Sequence, residues 1–573
     1  MLCGPYVPRM PRMRSGEAGS REDIGQLFQI SLPQDRKAIW EKLIEEIRPG
    51  SIVIQGANVS CARDIGKFVK RVMTICTDVG IPRELIPLIG ITQEGGLISR
   101  VDDMANSPGN MALGACDSME MTYSSYRAMG EELRACGVQW DLAPTVDVNT
   151  EPSNPIIGVR SFGDDPGLVS RHAVYAMHGL RDAGVLSCVK HFPGHGASTA
   201  DSHLTLPEIG KGLEYLERCD LRPYAAAVGD NVDSIMISHI HYPHLEKGGV
   251  PLPASLSKRV VTGILRNRMG YDGLVLTDSL SMAAVADNFP MEAAAAMAID
   301  AGVDVLECAV PEKYLELYDG LKTSLDSGRL KRGRIRESLT RFRKLRRIAA
   351  GMERKGALWS QDVRRRVTES ATLSAVTEVN STGTFSLTRP EAGKVHTVFF
   401  SRNRLLEERQ SERSESPAVR ILAEWGLSPG KDLHLPRHLE MERAEEAAQV
   451  ILAATGAADS VIVFSNDALS GQAQRAAPPQ MVLAKKIASG ATGRVAVVGT
   501  GTPYEAAYIR EIPYIAAYSQ RHDALLASVG VLMGAMYAGG RLPVTVRRNV
   551  EGQRGVKTYR ARRSGTVQAS ENK

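Results

Sequence analysis

The 573-residue chain has no apolar run long enough to cross a bilayer, because its best hydrophobic stretches are strand-length and interrupted. Its first residues include Arg9, Arg12 and Arg14 but no apolar segment follows them, which is unlike a secretory signal peptide. Strong charge is also missing, since Lys+Arg of 70 against Asp+Glu of 65 leaves +5, too little to indicate nucleic-acid binding. We therefore expect no membrane span and no nucleic-acid partner.

Cysteine is sparse and shows no pairing motif. Eight cysteines lie between Cys3 and Cys308 without a Cys-x-x-Cys pair, which favours reduced structural thiols in a cytoplasmic protein. No His/Asp/Glu trio has metal-ligand spacing, and His191 and His195 lie on a Pro/Gly-rich stretch, so no metal is expected. The Gly-Thr-Gly at 499–501 lacks the rest of a dinucleotide or phosphate-loop fingerprint, so no cofactor is expected.

What the chain does have is the composition of a soluble globular protein, with 43% apolar and 24% charged residues. From residue 23 to 356 a short apolar strand, a polar loop and an amphipathic helix alternate, which predicts parallel strands with helical crossovers. Seven or eight such units favour a closed (β/α)8 TIM barrel over an open sheet. The predicted strands are 51–55, 88–92, 139–142, 186–189, 234–238, 274–277 and 303–307, and the predicted helices are 61–79, 118–135, 168–183, 257–269 and 291–301.

The rest of the chain predicts a second, smaller domain. Arg and Lys interleave with Leu and Ile at helical spacing over 327–356, and we interpret this as a solvated helix closing the barrel rather than a nucleic-acid surface. A Ser/Thr-rich linker at 357–392 and an αβα sandwich at 393–550 follow. A disordered leader (1–22) and a flexible basic tail (551–573) are predicted at the ends. The sandwich strands are predicted at 395–400, 460–464, 494–498 and 514–518, and its helices at 418–425, 441–454, 480–489 and 523–536.

Titratable side chains are densest just after the fourth predicted strand. Residues 189–203 hold Lys190, His191, His195, Asp201 and His203, although the chain has only 12 histidines. The prolines and glycines among them favour an irregular loop over a helix. Polar residues on a loop that follows a buried strand are where α/β enzymes place their chemistry.

Two titratable centres at the predicted barrel mouth indicate covalent acid/base catalysis. Asp278 follows an apolar run, so its buried carboxylate costs free energy unless donors such as Lys190 or Arg160 keep it ionised. Asp201 and His203 are separated by one residue, so an extended loop would point both side chains the same way. Asp201 would then fix the tautomer of His203 and raise its pKa.

Short motifs recur at these strand ends, in order, between about residues 23 and 352. They are 93–96 (Gln-Glu-Gly-Gly), 143–149 (Ala-Pro-x-x-Asp-Val-Asn), 158–163 (Gly-x-Arg-Ser-Phe-Gly), 190–196 (Lys-His-Phe-Pro-Gly-His-Gly), 201–203 (Asp-Ser-His) and 277–278 (Thr-Asp). Together they resemble family 3 glycoside hydrolases, and more closely the bacterial β-N-acetylglucosaminidases of cell-wall recycling. Residues 538–545 resemble the end of the family's second domain.

The resemblance implies a TIM barrel followed by an αβα sandwich, and retaining removal of terminal β-linked N-acetylglucosamine from a small carbohydrate. The substrate class that it implies is a muropeptide or a chitooligosaccharide-like molecule. Asp278 corresponds to the nucleophile that forms a glycosyl-enzyme, and His203, supported by Asp201, to the acid/base in place of a second carboxylate. The implied substrate-binding residues are Arg100, Arg160, Lys190, His191, Thr92 and Met282.

Three departures from the family pattern leave alternatives open. Thr92 stands where an Asp usually grips ring hydroxyls, Leu97 where Arg is common, and Gly-Ala-Ser at 196–198 where Gly-Asp-Thr is usual. Losing one charged hydrogen bond at Thr92 would cost about 1.5–3 kcal/mol of sugar binding. A neutral His base does not repel phosphate, so the alternatives are a β-N-acetylglucosaminide phosphorylase or a family 3 hydrolase of another glycone. A non-catalytic sugar-binding protein is the third reading, motivated by Thr92.

Overall fold

The computed structural model describes residues 20–56, 59–101, 103–246, 249–310, 313–353, 355–380, 393–401, 416–469, 477–547 and 558–559. The predicted leader at 1–22 and the predicted tail at 551–573 therefore lie almost wholly outside the described residues. Within the tail, Thr558–Tyr559 pairs antiparallel with Val546–Arg547. Among the helices of the described residues, none has the length and apolar content needed to cross a bilayer.

Eight parallel strands form the first domain, and their order β4-β3-β2-β1-β8-β7-β6-β5 runs around a ring. Single bridges between Trp140 and Leu186 and between Thr145 and Lys190 link β4 to β5 and close it. This confirms the predicted TIM barrel. The strands are β1 Phe28–Ser31, β2 Ser51–Ile54, β3 Leu88–Ile91, β4 Trp140–Asp141, β5 Cys188–Phe192, β6 Ser234–Ile237, β7 Leu274–Ser279 and β8 Val305–Cys308.

Helices surround the barrel, and their apolar faces pack against the outward strand side chains in one continuous core. One crossover is a π-helical segment, Arg259–Arg268, where an α-helix over 257–269 was predicted. The helices are α1 Arg21–Gly25, α2 Trp40–Ile47, α3 Ala62–Asp78, α4 Asn110–Cys116, α5 Met119–Ala135, α6 Pro166–Ala183, α7 Leu213–Arg218, α8 Leu221–Gly229, α9 Ala283–Ala286, α10 Met291–Ala301, α11 Tyr314–Asp326 and α12 Arg332–Gly351.

Helix α12 covers the amino-terminal end of the barrel. Its Phe342, Leu345 and Ala349 join the apolar core inside the ring of strands. Arg346 donates hydrogen bonds to the carbonyls of Glu84 and Gly50, which precede β3 and β2. The basic stretch at 327–356 thus contains a helix whose apolar side closes the barrel, while most of its charges face solvent.

Two strand predictions need correction. Strand β1 was missed, because its Gln29 is fully buried inside the barrel and breaks the apolar pattern that marks the other strands. Strand β5 begins and ends later than predicted, so Lys190 and His191 lie in the strand rather than on the loop after it. Backbone hydrogen bonds from Val146 to Lys190 and from Ser238 to Phe192 extend the pairing that far.

The second domain is a six-stranded sheet of order β11-β10-β12-β13-β14-β9, with helices on both faces. It confirms the predicted αβα sandwich, and the edge strand β11 was missed because it is short of apolar residues and half exposed. The strands are β9 Thr377–Asn380, β10 Val395–Ser401, β11 Pro429–Pro436, β12 Ser460–Ser465, β13 Arg494–Gly499 and β14 Tyr514–Ala516. Its helices are α14 Pro417–Glu424, α15 Met441–Ala454, α16 Pro479–Gly490 and α17 His522–Leu532.

The segment predicted as a linker, 357–392, is described up to residue 380, and this part is mostly helix and strand; residues 381–392 lie outside the described residues. It contains helix α13 (Gln361–Ala375) and strand β9, which pairs antiparallel with β14 at the edge of the second sheet. The Ala371 carbonyl of α13 accepts a hydrogen bond from Cys116 of the barrel, and Thr372 donates one to Asp523 of the sandwich. Polar side chains dominate α13 because it spans two domains rather than burying one broad apolar face.

The two domains pack directly against each other at the barrel mouth. Tyr504 of the sandwich exchanges hydrogen bonds of 3.0 and 3.1 Å with Asn149, in the loop after β4. The Thr545 amide donates to Asp164 at 2.6 Å, and Val159 is buried in the apolar core of the sandwich. The loop that follows β4 is therefore covered by the second domain.

Candidate active site

A buried carboxylate with two cations forms the floor of the site. Glu94, in the loop after β3, accepts two hydrogen bonds from Arg160, at 2.9 and 2.8 Å, and lies 2.8 Å from the Lys190 ammonium. Burial alone would raise the pKa of Glu94, but the charges of Arg160 and Lys190 hold it well below the usual range. One carboxylate against two cations leaves this group with a net positive charge.

Asp278 lies near the carboxyl end of β7, half-buried at the barrel mouth. One carboxylate oxygen accepts a hydrogen bond of 2.8 Å from the Ser279 amide. Burial favours the neutral acid, but nearby His191 and this amide lower the pKa of Asp278 to about 2. Lys190 and Arg160, the donors expected to keep Asp278 ionised, form their ion pairs with Glu94, and the charge of Arg160 also interacts with that of Asp278.

His191 is held in place by Asp147, which lies in the loop after β4. Its Nδ1 is 2.8 Å from the Asp147 carboxylate, and its Nε2 is 3.4 Å from the Arg160 guanidinium. Asp147 also accepts a hydrogen bond of 2.6 Å from the His195 amide. These contacts fix the ring of His191 beside the Arg160 guanidinium.

Asp201 and His203 form a hydrogen-bonded pair on the loop after β5. One oxygen of Asp201 lies 2.7 Å from His203 Nδ1 and accepts a hydrogen bond of 2.8 Å from the His203 amide. The segment is a turn rather than an extended loop, because the amides of Leu204 and Thr205 donate back to the Asp201 carbonyl. The hydrogen bond that Asp201 accepts from the His203 ring raises the pKa of His203, and the Asp278 charge adds to this effect.

Ser202, between these two residues, anchors the loop on both sides. Its hydroxyl is 3.3 Å from His195 Nε2, and its carbonyl accepts a hydrogen bond of 3.3 Å from the Ala284 amide in α9. Because α9 follows Asp278 by a few residues, the loop is tied to the segment that carries the carboxylate. The side chain of His203 itself is 57% exposed and open to solvent.

The remaining predicted site residues lie around this centre. Arg100 is half-buried, and its Nε has no hydrogen-bond partner among the described residues. Burial lowers the pKa of Arg100, while nearby Glu94 opposes that shift. Thr92 is half-buried directly after β3, and Met282 is buried at the start of α9.

Sequence reasoning left three important side chains without a role. Glu94 and Asp147 are in the quoted motifs, and their positions after apolar strands are the signal that could have singled them out. Glu307 lies within β8 between two apolar residues, and it is buried close enough to Asp278 for their charges to interact. Burial, with the Asp278 charge, raises the pKa of Glu307 to about 8. Among the described residues, no group of three or more His, Cys, Asp or Glu side chains is arranged to hold a metal ion.

Residues 20–345 match the glycosyl hydrolase family 3 N-terminal domain, and the chain belongs to that family. This agrees with the resemblance drawn from the strand-end motifs.

Two relatives match part of this chain in sequence, and a solved structure matches most of it in fold. The chain is 32% identical over 345 residues to β-hexosaminidase A of Pseudoalteromonas piscicida, spanning 56% of this chain but only 58% of that protein. It is 35% identical over 268 residues to β-hexosaminidase LpqI of Mycobacterium tuberculosis, spanning 45% of this chain and 67% of the relative. A solved family 3 β-N-acetylglucosaminidase from Paenibacillus sp. superposes with a TM-score of 0.80 at 29% identity, covering 92% of this chain and 98% of that one.

Proposed function

We propose that the protein is a retaining exo-β-N-acetylglucosaminidase. The observation that carries this is the ionised Asp278 at the barrel mouth, within electrostatic reach of the protonatable Asp201–His203 pair. The names of the relatives, β-hexosaminidase and β-N-acetylglucosaminidase, support the sugar that we assign.

The geometry supports a double displacement with one proton donor. Asp278 attacks the anomeric carbon and forms a glycosyl-enzyme, while the glycosidic bond breaks. The Nε2–H of protonated His203 gives its proton to the departing oxygen, because Nδ1 is occupied by Asp201. In the second step neutral His203 takes a proton from water, the water oxygen bonds to the anomeric carbon, and Asp278 leaves as a carboxylate.

The glycone would be held by the buried cations beside these groups. Lys190 and Arg160 are 3% and 10% exposed, so their positions are fixed before substrate arrives. Arg100, with an unpaired buried Nε, has donor capacity that a sugar hydroxyl would use. Thr92, directly after β3, offers one neutral hydroxyl where a carboxylate would offer a charged acceptor. We therefore expect it to bind the sugar ring more weakly.

We further propose peptidoglycan-derived fragments as the natural substrate and the cytoplasm as the location. The support is the resemblance of the site motifs to cell-wall recycling enzymes, together with the seven unpaired cysteines among the described residues. Fractionation of the native host, followed by detection of the chain in each fraction, tests the location.

Hydrolysis is tested by nitrophenol release from the β-N-acetylglucosaminide and the β-glucoside, with and without phosphate. We expect turnover of the β-N-acetylglucosaminide to exceed that of the β-glucoside at least tenfold, with free sugar as product. A rate increase by phosphate and a sugar-1-phosphate product would replace hydrolysis by phosphorolysis. Binding of the sugar without turnover of either substrate would make the protein a non-catalytic binder.

The alkaline limb of the pH–rate profile tests the proton donor. The hydrogen bond that Asp201 accepts from His203 raises the pKa of His203, so the imidazolium persists to higher pH than in a free histidine. Asp201→Asn removes the carboxylate charge, so we expect the fall of kcat/KM to begin at lower pH. The measurement is kcat/KM for the nitrophenyl substrate against pH, with Asp287→Asn, an exposed acid after α9, as the matched control.

If Asp201→Asn does not change the pH at which kcat/KM falls on the alkaline side, the group that titrates there is not His203. On the acid side, kcat/KM should fall only at low pH in wild type and in Asp201→Asn alike, since the pKa of Asp278 is about 2.

A further inference from the structure

A cavity of about 480 Å³ lies between the two domains, beside the candidate active site. The sandwich contributes the carboxyl ends of three parallel strands, through Asn466 after β12, Thr500 after β13 and the segment 518–522 after β14. Ligands of open parallel sheets bind outside the carboxyl ends of their strands. The position of the cavity therefore fits a binding site rather than a packing defect.

The barrel wall of the cavity belongs to the loops that hold the sugar-binding cations. Gly96 and Leu97 follow Glu94 by two and three residues, and Val159 precedes Arg160 directly. Leu97 is 37% exposed and, with Val159, gives this wall an apolar surface. Apolar side chains of this size suit the C–H face of a pyranose ring.

The opposite wall holds hydrogen-bonding groups that no described residue satisfies. Asn466 is only 3% exposed, its backbone is fixed by Gln480, and its side-chain amide makes no hydrogen bond with a described residue. The Nε of Arg521 is buried without a hydrogen-bond partner in the described part of the chain, and the Asp523 carboxylate is 3.6 Å away. An amide and a guanidinium together offer donors and an acceptor, as a hydroxyl-rich or acetamido ligand requires.

Two residues of this wall also hold unusual backbone conformations. Asp467 and Tyr518 have φ of 41° and 59°, in the left-handed region that non-glycine residues seldom occupy. The Asp467 carboxylate accepts a hydrogen bond of 2.7 Å from the Thr502 amide, which holds the wall in shape. Strain of this kind persists where the surroundings over-determine it, and it clusters at functional sites.

We propose that this interdomain cavity binds a sugar residue of the aglycone, with Asn466 and Arg521 as its hydrogen-bonding groups. The inference rests on the proposed function, since an exo-acting enzyme leaves every sugar beyond the first on the leaving-group side. It makes the second domain a determinant of substrate length. It also favours oligosaccharide aglycones over short synthetic ones.

The experiment compares full-length wild type with Arg521→Gln and Asn466→Ala on two substrates. One is nitrophenyl β-N-acetylglucosaminide, whose aglycone is a single aromatic ring, and the other is chitotriose. We expect each variant to lose about tenfold in kcat/KM for chitotriose, because one hydrogen bond to the substrate is lost. The loss for the nitrophenyl substrate should be less than about twofold, since its aglycone does not reach these residues. Arg443→Gln, an exposed arginine of α15, is the matched control and should change neither.

Equal losses on both substrates would indicate a structural effect and overturn the proposal, as would unchanged turnover of chitotriose. A second measurement uses Asp278→Asn protein and calorimetry, where adding Arg521→Gln should weaken binding of chitotriose but not of N-acetylglucosamine. Failure of the proposed function would appear differently, because wild type would then release no nitrophenol.

Discussion

Asp278→Ala is expected to lower kcat/KM for the nitrophenyl β-N-acetylglucosaminide by roughly 10⁴-fold or more, the scale seen when a covalent nucleophile is removed. The carboxylate is ionised throughout the neutral range, since its pKa is about 2, and no neighbouring acid of the described residues replaces it in that state. Glu307 is the nearest candidate, but burial raises its pKa to about 8 and keeps it largely protonated at neutral pH.

Added azide distinguishes loss of the nucleophile from loss of the fold. The alanine leaves room for a small anion on the same face of the sugar, so azide should bond to the anomeric carbon as nitrophenolate departs. We expect partial recovery of nitrophenol release and an α-glycosyl azide as product. Asp287→Ala, an exposed acid nearby in the chain, should retain wild-type turnover. Full activity of Asp278→Ala without azide would show that the nucleophile is another residue.

Glu94→Ala is expected to lower the free energy of unfolding of the barrel by about 3–5 kcal/mol, the cost of leaving buried charges unpaired. Arg160 and Lys190 are almost fully buried, and both would lose the carboxylate that compensates them. Turnover should fall as well, because two cations that repel each other no longer hold their positions for the sugar. Denaturant unfolding followed by tryptophan fluorescence measures the first effect, and KM and kcat measure the second.

The matched comparison is Glu214→Ala, which breaks an ion pair with Arg218 in which both side chains are largely exposed. Solvent screens that pair, so the stability should hardly change. A double variant, Glu94→Gln with Lys190→Met, should recover part of the stability that Glu94→Gln loses, since it removes one of the two stranded charges. No recovery would mean that Glu94 stabilises the loop through its shape rather than its charge.

Alternating apolar strands and amphipathic helices were sufficient to predict both folds, because most strands bury continuous apolar runs. The failures share one physical cause, which is polar side chains inside regular structure. Gln29 interrupts the apolar pattern of β1, so that strand was not predicted. Lys190 and His191 are polar, so the end of β5 was predicted as a loop. The half-exposed β11 and the helix α13 carry too few apolar residues for their periodicity to show.

The residues of the candidate site could be found from the sequence, but their pairing could not. Strand ends and motifs bring Asp278, Lys190 and Arg160 to one face of the barrel. Which charge neutralises which depends on side-chain distances, and the structure pairs both cations with Glu94. The interdomain cavity was beyond prediction for the same reason, since its walls come from segments more than 300 residues apart.

Helix α13 sets how the two domains can move. It bonds to α4 of the barrel through Cys116 and to the sandwich through Thr372, and the chain then passes directly into β9 at the edge of the second sheet. A hinge is usually a few loop residues that absorb the change of backbone angles. Here the connection is a helix that contacts both the barrel and the sandwich. Closure of the domains over a substrate is therefore disfavoured. The width of the cavity between them stays constant, and this fixed width limits which ligands can enter.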